Sequence, residues 1–232
     1  MRSAFLFVAG VTLATAFILP SSIFDLSHGS DAGSSVKAPK ACNPQPIGKC
    51  TDDFFAQFGL TDPHNETAFE DAVNKYLAKT GVAGWSNIRT WVQTLESCSG
   101  GTDNLNQCVQ WQQLMADFNF TKDMAQKWEV EFYTLEYETG PGFDVLTHNY
   151  FCIGNVIAHE GPVIQACKQH FIDQQHSNPN ATCPHLVEYL YCIERPYTQQ
   201  CGHDVGSLVC NIERIGYLVY YPDCEHQVAL HC

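Results

Sequence analysis

The chain has 232 residues, with 12 Lys and Arg against 25 Asp and Glu, a formal net charge of −13 and 12 cysteines. Such an acidic balance repels polyanions, which excludes nucleic acid and heparin-like chains as partners.

Residues 1–20 read as a signal peptide. Arg2 supplies a short positive start, and Ala4 to Leu19 is a charge-free run of 16 residues. A membrane-spanning helix needs roughly 20, so a leader is the better reading. Ala14-Thr15-Ala16 fits the small-x-small rule for cleavage, and a cut near Ser22 is the alternative. No other stretch reads as a transmembrane segment, and the C-terminal residues match neither a lipid-anchor tail nor a retention tetrapeptide. Residues 21–41, rich in Ser, Gly, Ala and Asp, read as a flexible linker. Residues 42–232 then hold every cysteine and form one module, expected to be all-α and disulfide-rich.

Within the module the apolar residues recur at three- and four-residue steps. Trp85, Ile88, Val92, Leu95 and Cys98 mark one helix, broken by Gly100-Gly101 and Asp103-Asn104. Leu105, Cys108, Trp111, Met115 and Phe118 mark a second. Cys98 and Cys108 fall at adjacent helix ends, so a Cys98–Cys108 bridge closing this hairpin is expected. Thr121 is placed to cap a third helix, with Asp123 favourable in its first turn. Met124, Trp128, Phe132 and Leu135 form its stripe, and Gly140-Pro141-Gly142 ends it. Glu129, Glu131, Glu136 and Glu138 on the same segment read as a solvated face.

Pro162 and Pro184 each suit a first helical turn and are expected to open helices. Val163, Cys167, His170 or Phe171, and Gln174 share a side of the first, and Leu186, Val187 and Leu190 mark the second. A last long helix is expected from Asp204, carrying Val205, Leu208, Val209, Ile212, Ile215 and Val219. Cys210 lies on its opposite side near Tyr217 and Tyr221, so both faces need cover and the helix should be central. Strand signal is thin; Tyr217 to Tyr221 is β-prone but continues the helical pattern.

The cysteines are Cys42, Cys50, Cys98, Cys108, Cys152, Cys167, Cys183, Cys192, Cys201, Cys210, Cys224 and Cys232. An even number behind a leader reads as a disulfide framework. Zinc clusters want closer thiolates, and here no two cysteines have fewer than seven residues between them. Twelve cysteines allow on the order of ten thousand pairings, so connectivity stays open. Glycosylation sequons stand at Asn65, Asn119 and Asn180.

Motifs for chemistry are weak. His159-Glu160 begins like HExxH, but Val163 replaces the second histidine and Gly161-Pro162 is expected to break the helix. Cys201-Gly202-His203-Asp204 lacks the calcium loop and the CCxxHxxC helix of secreted phospholipases. His226 and His231, five apart, do not share a helical face. Ser99-Gly100 is a minimal glycosaminoglycan attachment pair that reads better as a turn. There is no GxSxG elbow and no phosphate loop. Trp85, Trp91, Trp111 and Trp128 read as core.

In cysteine number, in the opening Cys42–Cys50 spacing, in the helix-end pair Cys98 and Cys108, and in the crowded C-terminal half, the module resembles a family of nematode secreted proteins. Those carry a twelve-cysteine domain of unknown function. The resemblance spans Cys42 to Cys232 and implies an extracellular module without assigned catalytic residues or cofactors. The expectation from the sequence is a secreted, non-enzymatic module that acts on an extracellular protein or surface. A carrier of a small apolar ligand is the alternative, and a secreted hydrolase comes third.

Overall fold

The computed structural model describes residues 42–61, 66–229 and 231–232. The expected leader, the linker and Asn65 lie outside the described residues. Among these residues the chain is all-α: it is 84% helical and has no strands. The helices are α1 (Ile47–Ala56), α2 (Glu66–Thr80), α3 (Val82–Cys98), α4 (Thr102–Cys108), α5 (Trp111–Phe118) and α6 (Lys122–Thr139). After them come α7 (Phe143–His148), α8 (Tyr150–Ser177), α9 (Thr182–Cys201), α10 (His203–Tyr220) and α11 (Glu225–Val228). No described helix is long and apolar enough to cross a membrane.

The six disulfides divide into two groups. Cys42–Cys108 and Cys50–Cys98 staple the N-terminal helices. Cys152–Cys201, Cys167–Cys192, Cys183–Cys224 and Cys210–Cys232 staple the C-terminal ones. No free cysteine remains. Each bridge contributes about 2–4 kcal/mol by restricting the unfolded chain.

The expected Cys98–Cys108 bridge is not formed. The segment before α1 and α1 itself lie across the α3–α4 turn, and each cysteine of the turn bonds to that incoming segment. Asn43 and Asn104 lock the same contact. The Asn43 amide donates to Asn104 Oδ1 at 2.9 Å, and Asn104 Nδ2 donates to the carbonyls of Asn43 and Ser99 at 3.2 and 2.7 Å. Gly100 and Gly101, at φ of 91° and 102°, make the turn that brings Asn104 there.

Two further expectations on element boundaries change. The segment from Leu105 to Phe118 is two helices, α4 and α5, because Gln110 is extended with ψ of 135°. Its Met115 is 37% exposed, off the buried face. Pro162 does not open a helix but sits inside α8. Pro162 and Ala158, whose carbonyl loses its partner amide, are both exposed, so that carbonyl is not sealed in the interior. Other readings hold. Thr121 Oγ1 accepts from the Met124 amide, α6 stops at Thr139, Pro184 falls in the first turn of α9, and α10 stays helical to Tyr220.

An aromatic cluster welds the N-terminal helices. Phe55 of α1 and Phe69 of α2 stand 5.2 and 5.6 Å from Trp128 of α6, and Phe58 stands 5.2 Å from Trp91 of α3. In the C-terminal half, Phe171, Tyr189 and Tyr217 form a second cluster with centroids 5.0–5.5 Å apart. Trp85 and Trp128 are buried as expected, and Trp91 and Trp111 are half-buried at the edge of the core.

Two helices are enclosed. α6 packs on α2, α3 and α5 on one hand and on α7 and α10 on the other. Trp128, Glu129, Val130 and Glu131, a full turn, are all buried. α10 packs on α6, α7 and α9, which makes it central as the sequence implied. Gly206 sets its approach to α9: a Cβ there would stand 1.9 Å from Thr198 Oγ1 and 3.1 Å from Thr198 Cβ. Gly206→Ala should therefore cost about 1–3 kcal/mol in urea unfolding. Gly48→Ala, in α1 with nothing within 4 Å of the added carbon, should instead gain a few tenths to about 1 kcal/mol.

Candidate functional site: a carboxylate, an imidazole and a disulfide at the C-terminal corner

After α10 the chain turns through a 3-10 segment, Pro222–Cys224, pinned to the start of α9 by Cys183–Cys224. Helix α11 then packs along α9. This return path lays His231 against Glu194 of α9 and bonds Cys232 to Cys210 of α10. The donor atoms of Glu194, Cys210 and His231 all lie within 4.8 Å of one another. Among the described residues this is the one group of three or more His, Cys, Asp or Glu that could hold a metal ion.

The corner is semi-enclosed. The His231 side chain is 5% exposed and that of Glu194 25%, with Nε2 and Oε2 3.8 Å apart. That gap is too long for a hydrogen bond, and His231 Nε2 has no hydrogen-bond partner. The Tyr191 ring lies 3.5 Å from the imidazole centroid. Ser207 Oγ donates to the Cys232 carbonyl at 3.3 Å. Burial lowers the His231 pKa, and the Glu194 charge opposes this only in part. While Cys210 and Cys232 are bonded, their sulfurs supply neither a thiolate nucleophile nor a strong ligand. Two donors remain, too few to hold zinc as a structural site does.

The other candidates scatter. His159 is exposed on α8, and Glu160 accepts from Gln200 Nε2 at 2.9 Å; the helix runs on unbroken through Gly161-Pro162, and Val163 is 46% exposed. His203 is exposed in the first turn of α10. His226 is exposed on α11, while His231 turns inward, so the two do not meet. Asn119 is exposed with φ of 57°, and Asn180 is exposed in a 3-10 turn, both open to a glycan. Ser99 is 0% exposed, which removes it as an attachment point for a glycosaminoglycan.

The acidic segment of α6 is the largest correction. Glu129, Glu131 and Glu138 are 7%, 3% and 2% exposed, because α6 has no free side along these turns. Glu136 is half-buried and accepts from Asn106 at 3.3 Å. Glu129 Oε2 accepts from the Trp111 amide at 2.8 Å, so it caps the start of α5, where Gln110 offers no side-chain cap. Burial still pushes Glu129 up to about 7, against hydrogen bonds from Trp111 and Tyr133. Burial likewise holds Glu213 at about 7, opposed by Tyr189, whose hydroxyl donates at 2.8 Å, and by Lys168. Glu138, with Oε2 unpartnered, is raised well above the ordinary range by burial alone. The one sequence signal for Glu213 was its place among the apolar residues of α10.

A second feature is an open groove of about 490 Å³ beside α1 and α2. Phe58, Leu60, Ala68, Ala72 and Tyr76 line it together with the polar Gln57, Asp71 and Lys75.

No protein-family model, no curated protein and no solved structure matches the chain.

The buried carboxyls fix a pH dependence. In the unfolded chain they ionise near 4.5, and in the fold Glu129 and Glu213 keep their protons to about 7. Their stabilising contribution is therefore full below 4.5 and lost as pH rises through 7, whereas ordinary carboxylates are ionised in both states over most of that window. His231, lowered by burial, acts in the opposite sense as a single group. Urea unfolding should give a stability at pH 5 higher than at pH 8 by on the order of a few kcal/mol, and Glu213→Gln should remove its share of the difference while leaving that of Glu129.

Proposed function

We propose that the protein is secreted and works by binding another extracellular protein rather than by catalysis. The observation that carries this reading is the outer side of α8. From Phe151 to Ser177 it runs roughly 39 Å, at about 1.5 Å per residue. Its exposed positions include the apolar Phe151, Ala158, Pro162, Val163 and Ala166 among uncharged Asn and Gln and three histidines, and Asp173 is the single Asp, Glu, Lys or Arg among them. In a chain with net charge −13, an exposed helix face of this length with a single Asp, Glu, Lys or Arg is an anomaly for a face meant only to meet water. The buried centres of protein interfaces are depleted in charge in the same way. Phe151, at 73% exposed, is the natural anchor.

Six bridges and exposed sequons at Asn119 and Asn180 support residence in an oxidising, extracellular setting. The resemblance of the cysteine pattern to the nematode twelve-cysteine family points the same way. Catalysis is left out because the most perturbed carboxyls, Glu129, Glu138 and Glu213, face the interior and all thiols are bridged. A second reading, a carrier of a small apolar ligand, rests on the groove beside α1 and α2.

Expression in a secretory cell should deliver the chain to the medium with an N-terminus between Phe17 and Ile23; retention inside the cell would remove the reading. A photo-crosslinking side chain at Val163 should then yield one protein adduct in the native secretion, with none from the same probe at Asp52 of α1. Phe151→Glu should abolish it. No adduct at Val163, or equal yield at both positions, would overturn the assignment of the α8 face. Solvent extraction followed by mass spectrometry tests the carrier: a blank retires it.

A further inference from the structure

We propose that Glu194, Cys210, His231 and Cys232 form a latent zinc site that opens when the Cys210–Cys232 disulfide is reduced. The donor atoms of Glu194, Cys210 and His231 already lie within 4.8 Å of one another, and Cys232, whose sulfur is bonded to that of Cys210 but stands outside this group, supplies the fourth donor by swinging in once the bridge opens. With the bridge open, two thiolates, an imidazole nitrogen and a carboxylate oxygen complete a four-coordinate set of the kind zinc takes.

Distances favour this reading over a simple ion pair. Oxygen and nitrogen donors on one tetrahedral zinc stand about 3.4 Å apart, and two sulfurs about 3.8 Å apart. His231 Nε2 and Glu194 Oε2 stand 3.8 Å apart, too far to bond each other and close to the separation an ion between them imposes. The imidazole is 5% exposed and its Nε2 has no hydrogen-bond partner, an arrangement that costs stability unless something uses the nitrogen. The sulfurs must part by somewhat under 2 Å. Cys210 is fixed inside α10, but Cys232 lies outside any helix on the segment after α11, so the movement falls on the less constrained partner. None of the other bridges has such a group of donors beside it among the described residues. The chain's net charge of −13 draws cations to it.

The chemistry balances with a dithiol as reductant. The disulfide takes two electrons and two protons from the dithiol, which leaves as its own cyclic disulfide. Zinc then displaces the two protons from the Cys210 and Cys232 thiols, while His231 donates through Nε2 and Glu194 through an oxygen.

The folded protein would be reduced in limiting steps with a water-soluble phosphine, with and without zinc chloride, then alkylated and mapped by mass spectrometry. Cys210 and Cys232 should be shielded from alkylation only when zinc is present, with one zinc retained per chain. Cobalt in place of zinc should give a thiolate charge-transfer band and tetrahedral d–d absorption. Cys232→Ser supplies an arm that needs no reductant: it frees the Cys210 thiol and leaves three donors in place. It should bind one cobalt, and the Cys232→Ser/His231→Ala double variant should bind none. Equal alkylation with and without zinc, or cobalt binding unchanged by His231→Ala, would overturn the site. So would a loss of helical circular dichroism on opening the bridge that zinc fails to restore.

Discussion

The fold depends on one helix that no disulfide touches. α6 runs between two sets of stapled helices, and no bridge crosses from Cys42–Cys108 on one side to Cys152–Cys232 on the other. Everything that joins the halves must therefore be packing. Trp128 meets Phe55 and Phe69 of the N-terminal set, while α6 as a whole also packs on α10 of the C-terminal set. The covalent staples lower the entropy of each half when unfolded, but they do nothing to hold one half against the other. That task falls to the apolar contact along α6, which explains why a whole turn of it is withdrawn from water.

The same enclosure creates the cost. The enclosed turns of a helix leave little room to place charge, and over those turns α6 carries carboxyls at Glu129, Glu131 and Glu138 regardless. Glu129 is offset by a definite partner, the first amide of α5. It joins α5 to α6 and satisfies a helix end that would otherwise be orphaned. Glu213 has a comparable arrangement with Tyr189 at the α9–α10 contact. Both carboxyls keep their protons near neutrality, so the interior is tolerant of them in the neutral form and strained by the ionised one. Polar groups thus tie helix to helix at two of the contacts where the bridges are absent or sparse.

Element type was legible in the sequence because it rests on local periodicity. The stripe from Trp85 to Leu95, the Thr121 cap and the Gly140 stop all depend on neighbours a few residues away, and each is found where the pattern puts it. Environment was not legible, because it depends on what packs from a distance. The four glutamates of α6 look like a solvated face when only the helix itself is considered; that α10 arrives on the other side is a fact of topology. Cys98 and Cys108 look like natural partners across a short turn for the same reason. The competing strand of chain, from Cys42 to Cys50, comes from far earlier in the sequence. Pro162 misleads in a third way. Its preference for a first turn is a preference only, and an exposed carbonyl at Ala158 is enough for α8 to run through it. The corner at Glu194 and His231, 37 residues apart, needed the return of the chain past α11 before it could exist.

That return follows from how α9 is used. Its cysteines at 183, 192 and 201 are nine residues apart and spread its bridges along the whole length of the helix. Cys192 and Cys201 hold α8, and Cys183 reaches Cys224 beyond α10. With α10 pressed close to α9 through Gly206, the chain after Cys224 returns along α9 through α11. It must pass Tyr191 and Glu194 to bring Cys232 to Cys210. The imidazole is thereby delivered to the carboxylate by the disulfide plan itself. A staple chosen for stability has set three donor groups within 4.8 Å of one another.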